Sequence, residues 1–510
     1  MMTNILEALE ITAARVPGRV AFYDDHERLT FAQLLDTAQR IGSCLAVRVP
    51  PRQAVALLLD ARSIRNIPAL YGVLYAGCAY APLDITMPPE RLRQLLSLLA
   101  PAAILTDEKG TKALEQCGTM GISAIRYEDA ARARVYQRIL QGIRAGSTAD
   151  DPMSILYTSG STGVPMGSVQ PHSAYIRWTE ATIRVYGLRE DTRFGNQSPF
   201  FYANSILDIF PPVALGATVY LLPAGVLTFP RKLIQCLNEQ HITEFCMTPS
   251  SFISVVNAGV LEEGCLPELE WGIMSGESMP WQPLEQWMRA TPKAAWWHFY
   301  GSTEMFSIAV GKVERPQRAE ERLPVGKLFE SVRLLFLDEN GDPVPEGVPG
   351  EMYADSPWVA QGYYRDEERT ALAWVRLPQG RFYRSGDMGY LRPDGQLMVL
   401  GRKDNQIKHM GYRMELGEVE AALRALPEAG ESCVLYDRKN DRIFCFYTGE
   451  AEEKTLRMLL KARLARYMLP DVVVHLDEMP HTASMKLDRA ALTRRMEGVA
   501  NEGKGNALSS

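Results

Sequence analysis

No two of the eight cysteines stand in a CxxC-type spacing, so neither a zinc ribbon nor a disulfide framework is indicated. Scattered free thiols fit burial in a reducing compartment, and a cytoplasmic location is expected. The seven histidines show no ligand spacing either. His172 and His298 read as structural or surface residues. Basic charge is not in excess: the net charge is −6, which gives no reason to expect nucleic acid or an anionic membrane surface as a partner. The opening residues, MMTNILEALEITAARVPGRV, lack a basic start followed by a long apolar core and do not form a signal peptide. No apolar run is long enough to span a bilayer. Internal repeats and low-complexity segments are also missing.

What is present describes an ordinary globular chain. Hydrophobic residues make up 46% and charged residues 23% of 510 positions, enough for more than one domain. Thr30-Phe31-Ala32-Gln33 has the form of a capping box, with Leu34, Ala38, Ile41 and Leu45 at helical spacing behind it. Strands are expected at 54–59, 79–84, 103–106, 217–222, 243–247 and 271–275, and helices at 67–76, 88–100, 231–239 and 283–290. This alternation predicts an α/β protein of layered sheets with parallel pairing. From Val332 onward, turn signals such as Asp338-Glu339-Asn340-Gly341 and Pro393-Asp394-Gly395 predict a small antiparallel, partly barrel-like region. Past Lys403 the texture becomes that of a smaller α+β unit. Val419, Leu423 and Leu426 share a helix face there, and strands are expected at 432–436, 443–447 and 472–476. The expected division is a large domain 1–403 and a small one 404–510. The small, polar tail after Glu497 is expected to fray.

One stretch organises the rest. Residues 154–167 read SILYTSGSTGVPMG. The apolar run Ile155, Leu156, Tyr157 empties into Thr158, Ser159, Gly160, Ser161, Thr162 and Gly163. A buried strand ending in such a loop lets backbone N–H groups approach an oxyanion closely, and the hydroxyls add donors. Phosphate is the natural guest. The stretch is not a Walker loop, which needs a Gly-Lys-Ser/Thr end. Taken alone, it reads equally well as a Ser/Gly-rich linker.

The loop resembles the phosphate-gripping signature of the adenylate-forming superfamily, which comprises acyl- and aryl-CoA ligases, luciferases and nonribosomal peptide adenylation domains. Five further stretches follow in family order: AYAPLD at 79–84, HFYGSTE at 298–304, YRSGD at 383–387, GRKDNQIKHMGYRMELGEVE at 401–420 and SMKLDR at 484–489. The variants YRSGD and ELGEVE look more like carrier-protein-loading adenylation domains than CoA ligases.

The resemblance implies that a carboxylate and ATP give an acyl-adenylate and pyrophosphate. The acyl group then passes to a phosphopantetheine thiol. It implies ATP and Mg²⁺ as cofactors, and a small C-terminal domain that rotates about Asp404. Lys486 matches the mobile catalytic lysine that reaches both the attacking carboxylate and the α-phosphate, although Ser484-Met485 replaces the usual Asn-Gly before it. Glu304 matches the magnesium-binding glutamate and Thr303 a phosphate-contacting hydroxyl. Tyr300 sits where a ring packs on adenine. Asp387 matches the carboxylate that binds both ribose hydroxyls, and Arg402 the arginine that contacts the ribose. Read without the family, HFYGSTE is a strand ending in a capped turn, Asp387 and Asp404 are turn acids, and Lys486 is a solvated surface residue.

Two departures from the family pattern matter. Met166 stands where the phosphate loop normally has lysine, which predicts weaker ATP binding or slower turnover. Alignment of 202–210 (YANSILDIF) puts Ala203 where amino-acid-activating members carry the Asp that pairs with the substrate's α-ammonium. An unpaired buried ammonium is costly, so a plain α-amino acid held in the standard way is disfavoured. The same alignment lines the pocket with Ala203, Asn204, Leu207, Cys246, Ile273, Ser275, Phe299, Ser307 and Ile308, none of them charged. That pocket suits an uncharged carboxylic acid, with Asn204, Ser275 and Ser307 available for hydrogen bonds. Asp208 could hold a displaced amine only by turning inward, and its spacing from Leu207 and Ile209 favours an outward-facing or helix-cap role.

The chain resembles stand-alone carrier-loading enzymes such as D-alanine–carrier protein ligases. No carrier domain follows Lys486, so a carrier protein in trans is expected. The competing expectations are an acyl- or aryl-CoA ligase using free CoA, and a non-catalytic nucleotide- or carrier-binding relative.

Overall fold

The computed structural model describes residues 2–118, 121–159, 164–314, 322–403, 406–481 and 487–505, with no side chains described for 500–505. Two compact units divide the chain. One comprises Met1–Ile85, Leu96–Tyr157 and Met166–Lys403; the other comprises Thr86–Leu95, Thr158–Pro165 and Asp404–Ser510.

The first unit begins as the sequence dictates. Thr30 caps the helix Phe31–Ala46, its hydroxyl accepting the Gln33 N–H while the Gln33 side chain returns to the Thr30 N–H. The helix packs closely on Asn66–Tyr75, a helix buried along its whole length. Glycine makes the approach possible: a Cβ on Gly42 would lie 2.4 Å from that of Tyr75. Ala54–Leu58 lies between Ala79–Pro82 and Ala103–Thr106, all parallel, inside a seven-stranded sheet.

A second sheet has nine strands. Arg193–Asn196, Glu244–Met247, Trp271–Ser275 and Ala295–Ser302 run parallel in it, and Phe306–Lys312 returns antiparallel. The carboxyl ends of these parallel strands therefore open in one direction, where open α/β sheets place ligands. Trp296 and Trp297 are core residues. A third, antiparallel sheet is built from Arg333–Leu337, Gly350–Asp355, Trp374–Leu377, Gly380–Leu391 and Leu397–Arg402.

In the second unit, Ser432–Asp437, Arg442–Tyr447 and Val472–His475 form a three-stranded sheet. Its period-two alternation feeds two cores. Val434, Ile443 and Cys445 pack with Val419 and Leu423 on one face, while Cys433, Phe444 and Phe446 pack with Leu492 on the other.

Three expectations are corrected. Leu426 is buried but lies past the end of the helix Leu416–Arg424. Residues 498–505 continue the helix Arg489–Gly505, because an established helix adds a hydrogen bond for each residue it orders; residues 506–510 lie outside the described residues. HFYGSTE does not run into a capped turn; the chain reverses at Thr303–Met305 into a hairpin. Of the eight cysteines, seven are buried thiols and Cys265 is intermediate. Among the described residues, no helix is long and apolar enough to cross a membrane.

Candidate active site

The hairpin Ala295–Ser302/Phe306–Lys312 carries the most constrained part of the site. Its register shifts between Tyr300 and Gly301. A side chain at Gly301 is excluded, since its Cβ would lie 1.6 Å from the Phe306 carbonyl oxygen. Phe306 itself has φ 47°, a left-handed conformation that costs a bulky residue energy. The surroundings hold it there: its ring packs edge-on against Tyr175 at 5.0 Å and beside Trp178 at 5.5 Å. The turn is gripped from outside as well. Gln170 Nε2 donates to the Thr303 carbonyl at 2.9 Å, and the Ala360 N–H donates to the Glu304 carbonyl at 2.7 Å. Glu304 is fully buried, and its Oε1 accepts the Tyr363 hydroxyl at 3.2 Å.

A buried carboxylate is a hard oxygen donor. Among the described residues no group of three or more His, Cys, Asp and Glu could hold a metal. A single buried carboxylate is the kind of donor that can hold magnesium together with substrate phosphates.

Asp387 faces Arg402 across adjacent antiparallel strands. Its Oδ2 accepts the Tyr300 hydroxyl at 2.5 Å, and its Oδ1 lies 3.8 Å from Arg402 Nη1. Both side chains of the ion pair are 16% exposed. Arg402 Nη1 also donates to the Ser385 carbonyl. Gly386, with φ 74°, leaves room for this guanidinium, because a Cβ there would come within 2.6 Å of it. Burial, and then the Asp387 charge, push the Tyr300 phenol well above its ordinary range, so it stays a proton donor. The result is a fixed carboxylate with a phenol on one oxygen and a cation near the other, suited to accepting hydroxyl donors of a sugar. The Tyr300–Asp387 link was not legible in the sequence, which places the two residues far apart.

The predicted acyl pocket is partly assembled. Cys246 pairs with Ile273, and Ser275 with Phe299, on neighbouring strands. These four residues share one face of the nine-stranded sheet by strand alternation. Ala203, Asn204 and Leu207 lie on the short 3₁₀ helix Ala203–Asp208. Asn204 reaches that face, its Nδ2 donating to Ser275 Oγ at 3.2 Å. Ser307 Oγ instead accepts the Trp178 indole N–H at 2.8 Å, and its carbonyl accepts that of Trp358 at 2.9 Å. Ile308 is fully buried. Thus the polar groups expected for the acyl substrate already have protein partners.

Asp208 overturns an expectation. It is 2% exposed and faces inward, where Asn196 Nδ2 donates to its Oδ2 at 2.8 Å. The helix is 3₁₀ rather than α, so flanking apolar neighbours do not set the direction of this side chain.

Of the phosphate stretch, Thr158 ends the strand Pro152–Thr158 and Ser159 is buried. The Thr158 hydroxyl is buried without a protein partner. Met166 opens the next strand, Met166–Pro171, and packs against the apolar core. Gly160, Ser161, Thr162, Gly163, Asp404 and Lys486 lie outside the described residues.

With this geometry in view, the likenesses to known proteins are decisive. Residues 9–364 match the family model described as AMP-binding enzyme, and residues 418–486 match the AMP-binding enzyme C-terminal domain. The chain belongs to the AMP-binding enzyme family.

Two curated relatives and one solved structure place it within that family. Malpinin synthetase of Mortierella alpina is 30% identical over 508 residues, 95% of this chain but 6% of that protein. A D-alanine–D-alanyl carrier protein ligase of Lacticaseibacillus casei (strain BL23) is 27% identical across 96% of this chain and 99% of its own length. The structure of holo-PA1221, an NRPS protein containing adenylation and PCP domains bound to a vinylsulfonamide inhibitor, aligns with a TM-score of 0.80 at 26% identity, covering 97% of this chain and 84% of that one. As an AMP-binding enzyme, the chain has the two-unit α/β architecture of adenylation domains.

Proposed function

We propose that this chain is an AMP-forming ligase that activates a carboxylic acid with ATP and Mg²⁺ and passes the acyl group to the phosphopantetheine thiol of a separate carrier protein. The observation that carries the reading is the constrained pair of sites in the first unit. Asp387 is held by Tyr300 beside Arg402 for the ribose, and Glu304 is buried in its hairpin turn for the metal. The full-length match to carrier protein ligases supports a carrier as acceptor.

In this reading, the substrate carboxylate oxygen attacks the α-phosphorus of ATP and pyrophosphate leaves. The carrier thiol then attacks the acyl carbonyl, loses its proton, and AMP leaves. Thr303 and the Thr158–Gly163 loop contact phosphates, and Glu304 holds the metal that offsets their charge. Lys486, in the small domain that follows residue 403, brings a cation to the α-phosphate, where charge builds in the transition state. Asp404 serves as the hinge. Ala203 leaves no carboxylate for an α-ammonium in the standard position, so the acid carries no α-amine held in that way.

The test is pyrophosphate release with ATP and Mg²⁺ across acids with and without α-amines, followed by acyl transfer to a phosphopantetheinylated carrier or to CoA. Turnover with acids lacking an α-amine and transfer to the carrier are expected. Transfer to CoA alone would make this a CoA ligase. ATP binding without pyrophosphate release from any acid would make it a binding protein.

A further inference from the structure

Beside the acyl pocket lies a pair of acids that the reaction does not use. Glu244 opens the strand Glu244–Met247 and is 0% exposed. Neither of its carboxylate oxygens has a hydrogen-bond partner. Side chains two apart on a strand share a face, so Glu244 points to the same side of the sheet as the pocket residue Cys246. On the adjacent strand, Phe194 pairs with Glu244, which puts Asn196, two residues further on, on that face as well. Asn196 holds Asp208 by one oxygen, and the other, Oδ1, is buried without a partner. Three carboxylate oxygens are thus left open against one face of the sheet.

The acids are mutual neighbours. Burial, reinforced by the Asp208 charge, holds the Glu244 carboxyl well above its usual range, and burial raises Asp208 also. Burial and then both acids raise the Cys246 thiol, and burial followed by the Cys246 and Glu244 charges raises the Tyr186 phenol. Among the described residues no lysine, arginine or histidine is paired with either acid. Leaving such groups buried and unmatched is costly. A resident metal is not indicated, since no metal-ligating group of three forms here among the described residues. Burial favours the neutral form of both acids before substrate binds; a cationic N–H donor carried by the substrate would draw them to their carboxylate form, since a nearby opposite charge favours the charged state.

Position fixes which amine. The reacting end of the site is at the carboxyl ends of the strands, near Ser275 and the Thr303–Glu304 turn. Glu244 pairs with Trp271, four residues back from Ser275 on the neighbouring strand, or about 13 Å at the strand rise. An α-ammonium cannot be at both ends. We propose that Asp208 and Glu244 form a subsite for a primary ammonium remote from the carboxylate, making the acid an ω-amino acid. This rests on the adenylation reading and replaces the uncharged acid expected from the pocket residues alone.

The experiment compares γ-aminobutyrate, δ-aminovalerate and ε-aminocaproate with butyrate, valerate and caproate as substrates for pyrophosphate release, using the full chain and its Glu244→Gln and Asp208→Asn variants. The native protein should prefer at least one ω-amino acid over its amine-free partner by about 100-fold in kcat/KM, the scale of an ion pair broken in a buried site. Glu244→Gln should erase that preference and improve use of the amine-free acid, an exchange that mere loss of folding could not produce. Preference for the amine-free acids by the native protein would overturn the subsite and leave the adenylation reading intact. If no acid releases pyrophosphate, the adenylation reading fails. Calorimetric binding of the three ω-amino acids then decides the subsite: affinity lost in Glu244→Gln supports it, and equal or absent binding overturns it.

Discussion

The Tyr300 hydroxyl donates to the Asp387 carboxylate at 2.5 Å and joins the hairpin of the nine-stranded sheet to the antiparallel sheet. The acid proposed to bind the ribose is therefore aimed by a residue from another layer. Tyr300→Phe keeps the ring and removes the donor. A hydrogen bond to a charged group contributes about 1.5–3 kcal/mol, so the KM for ATP should rise about tenfold or more while the KM for the acid is unchanged. Steady-state kinetics with each substrate varied checks this.

Glu304 is oriented by Tyr363. Glu304→Gln should raise the Mg²⁺ concentration needed for half-maximal rate by at least about tenfold, and Tyr363→Phe should produce a smaller shift in the same direction. Mg²⁺ titrations of pyrophosphate release would show both. A Tyr363→Phe protein with an unchanged Mg²⁺ requirement would remove the orienting role.

Met166, read from the family resemblance as standing in for a phosphate-loop lysine, packs partly on the core. Met166→Lys restores a cation beside the bound phosphates. The KM for ATP should fall about tenfold at low salt, with the gain shrinking as ionic strength rises. An unchanged KM at all salt concentrations would mean that the loop amides and metal already saturate the phosphates.

In the proposed mechanism the Lys486 ammonium acts on charge that develops only during attack, so Lys486→Ala should reduce pyrophosphate release by about 100-fold or more while ATP binding stays within about twofold. Retention of full activity would assign the cation to another residue.

In the second unit, the His409 side chain is 4% exposed, with Nε2 3.2 Å from Asp471 Oδ2. Its Nδ1–H donates to the Tyr467 carbonyl at 2.7 Å. Burial opposes the charge, but Asp471 and the Tyr467 carbonyl outweigh it and hold the imidazole above its usual range. Burial likewise opposes the Asp471 charge, yet His409 and the Ile443 N–H keep that carboxyl below its usual range. The His409 contribution is complete below about pH 6.5 and is lost as pH rises through the elevated folded value. The Asp471 contribution is present above about pH 3.9 and is lost as pH falls through its depressed value. Hydrogen exchange in the strand Gln406–His409 should therefore be slowest between about pH 4 and 6.5, after correction for intrinsic rates, and His409→Gln should flatten the profile.

Much of the fold was legible because periodicity reports burial. The runs expected at 54–59 and 271–275 contain the wholly buried strands Ala54–Leu58 and Trp271–Ser275, and the Thr30–Gln33 box caps its helix through bonds between close neighbours in sequence. The site was legible as motif positions, since HFYGSTE and YRSGD name residue types in order. Their geometry was not. Nothing local to residue 300 selects Asp387 as its partner, and the inward turn of Asp208 depends on Asn196 across a strand end.

Residue type and spacing were enough for the layered α/β class and the family motifs. Which side chains meet was settled by contacts between distant parts of the chain. Those contacts joined Tyr300 to Asp387, buried Glu304 under Tyr363, and left Glu244 and Asp208 beside the acyl pocket without a cation. A lone Glu at the head of an apolar strand gives no sign in sequence of whether water or protein surrounds it. Only long-range packing sets that environment, and with it the meaning of the charge.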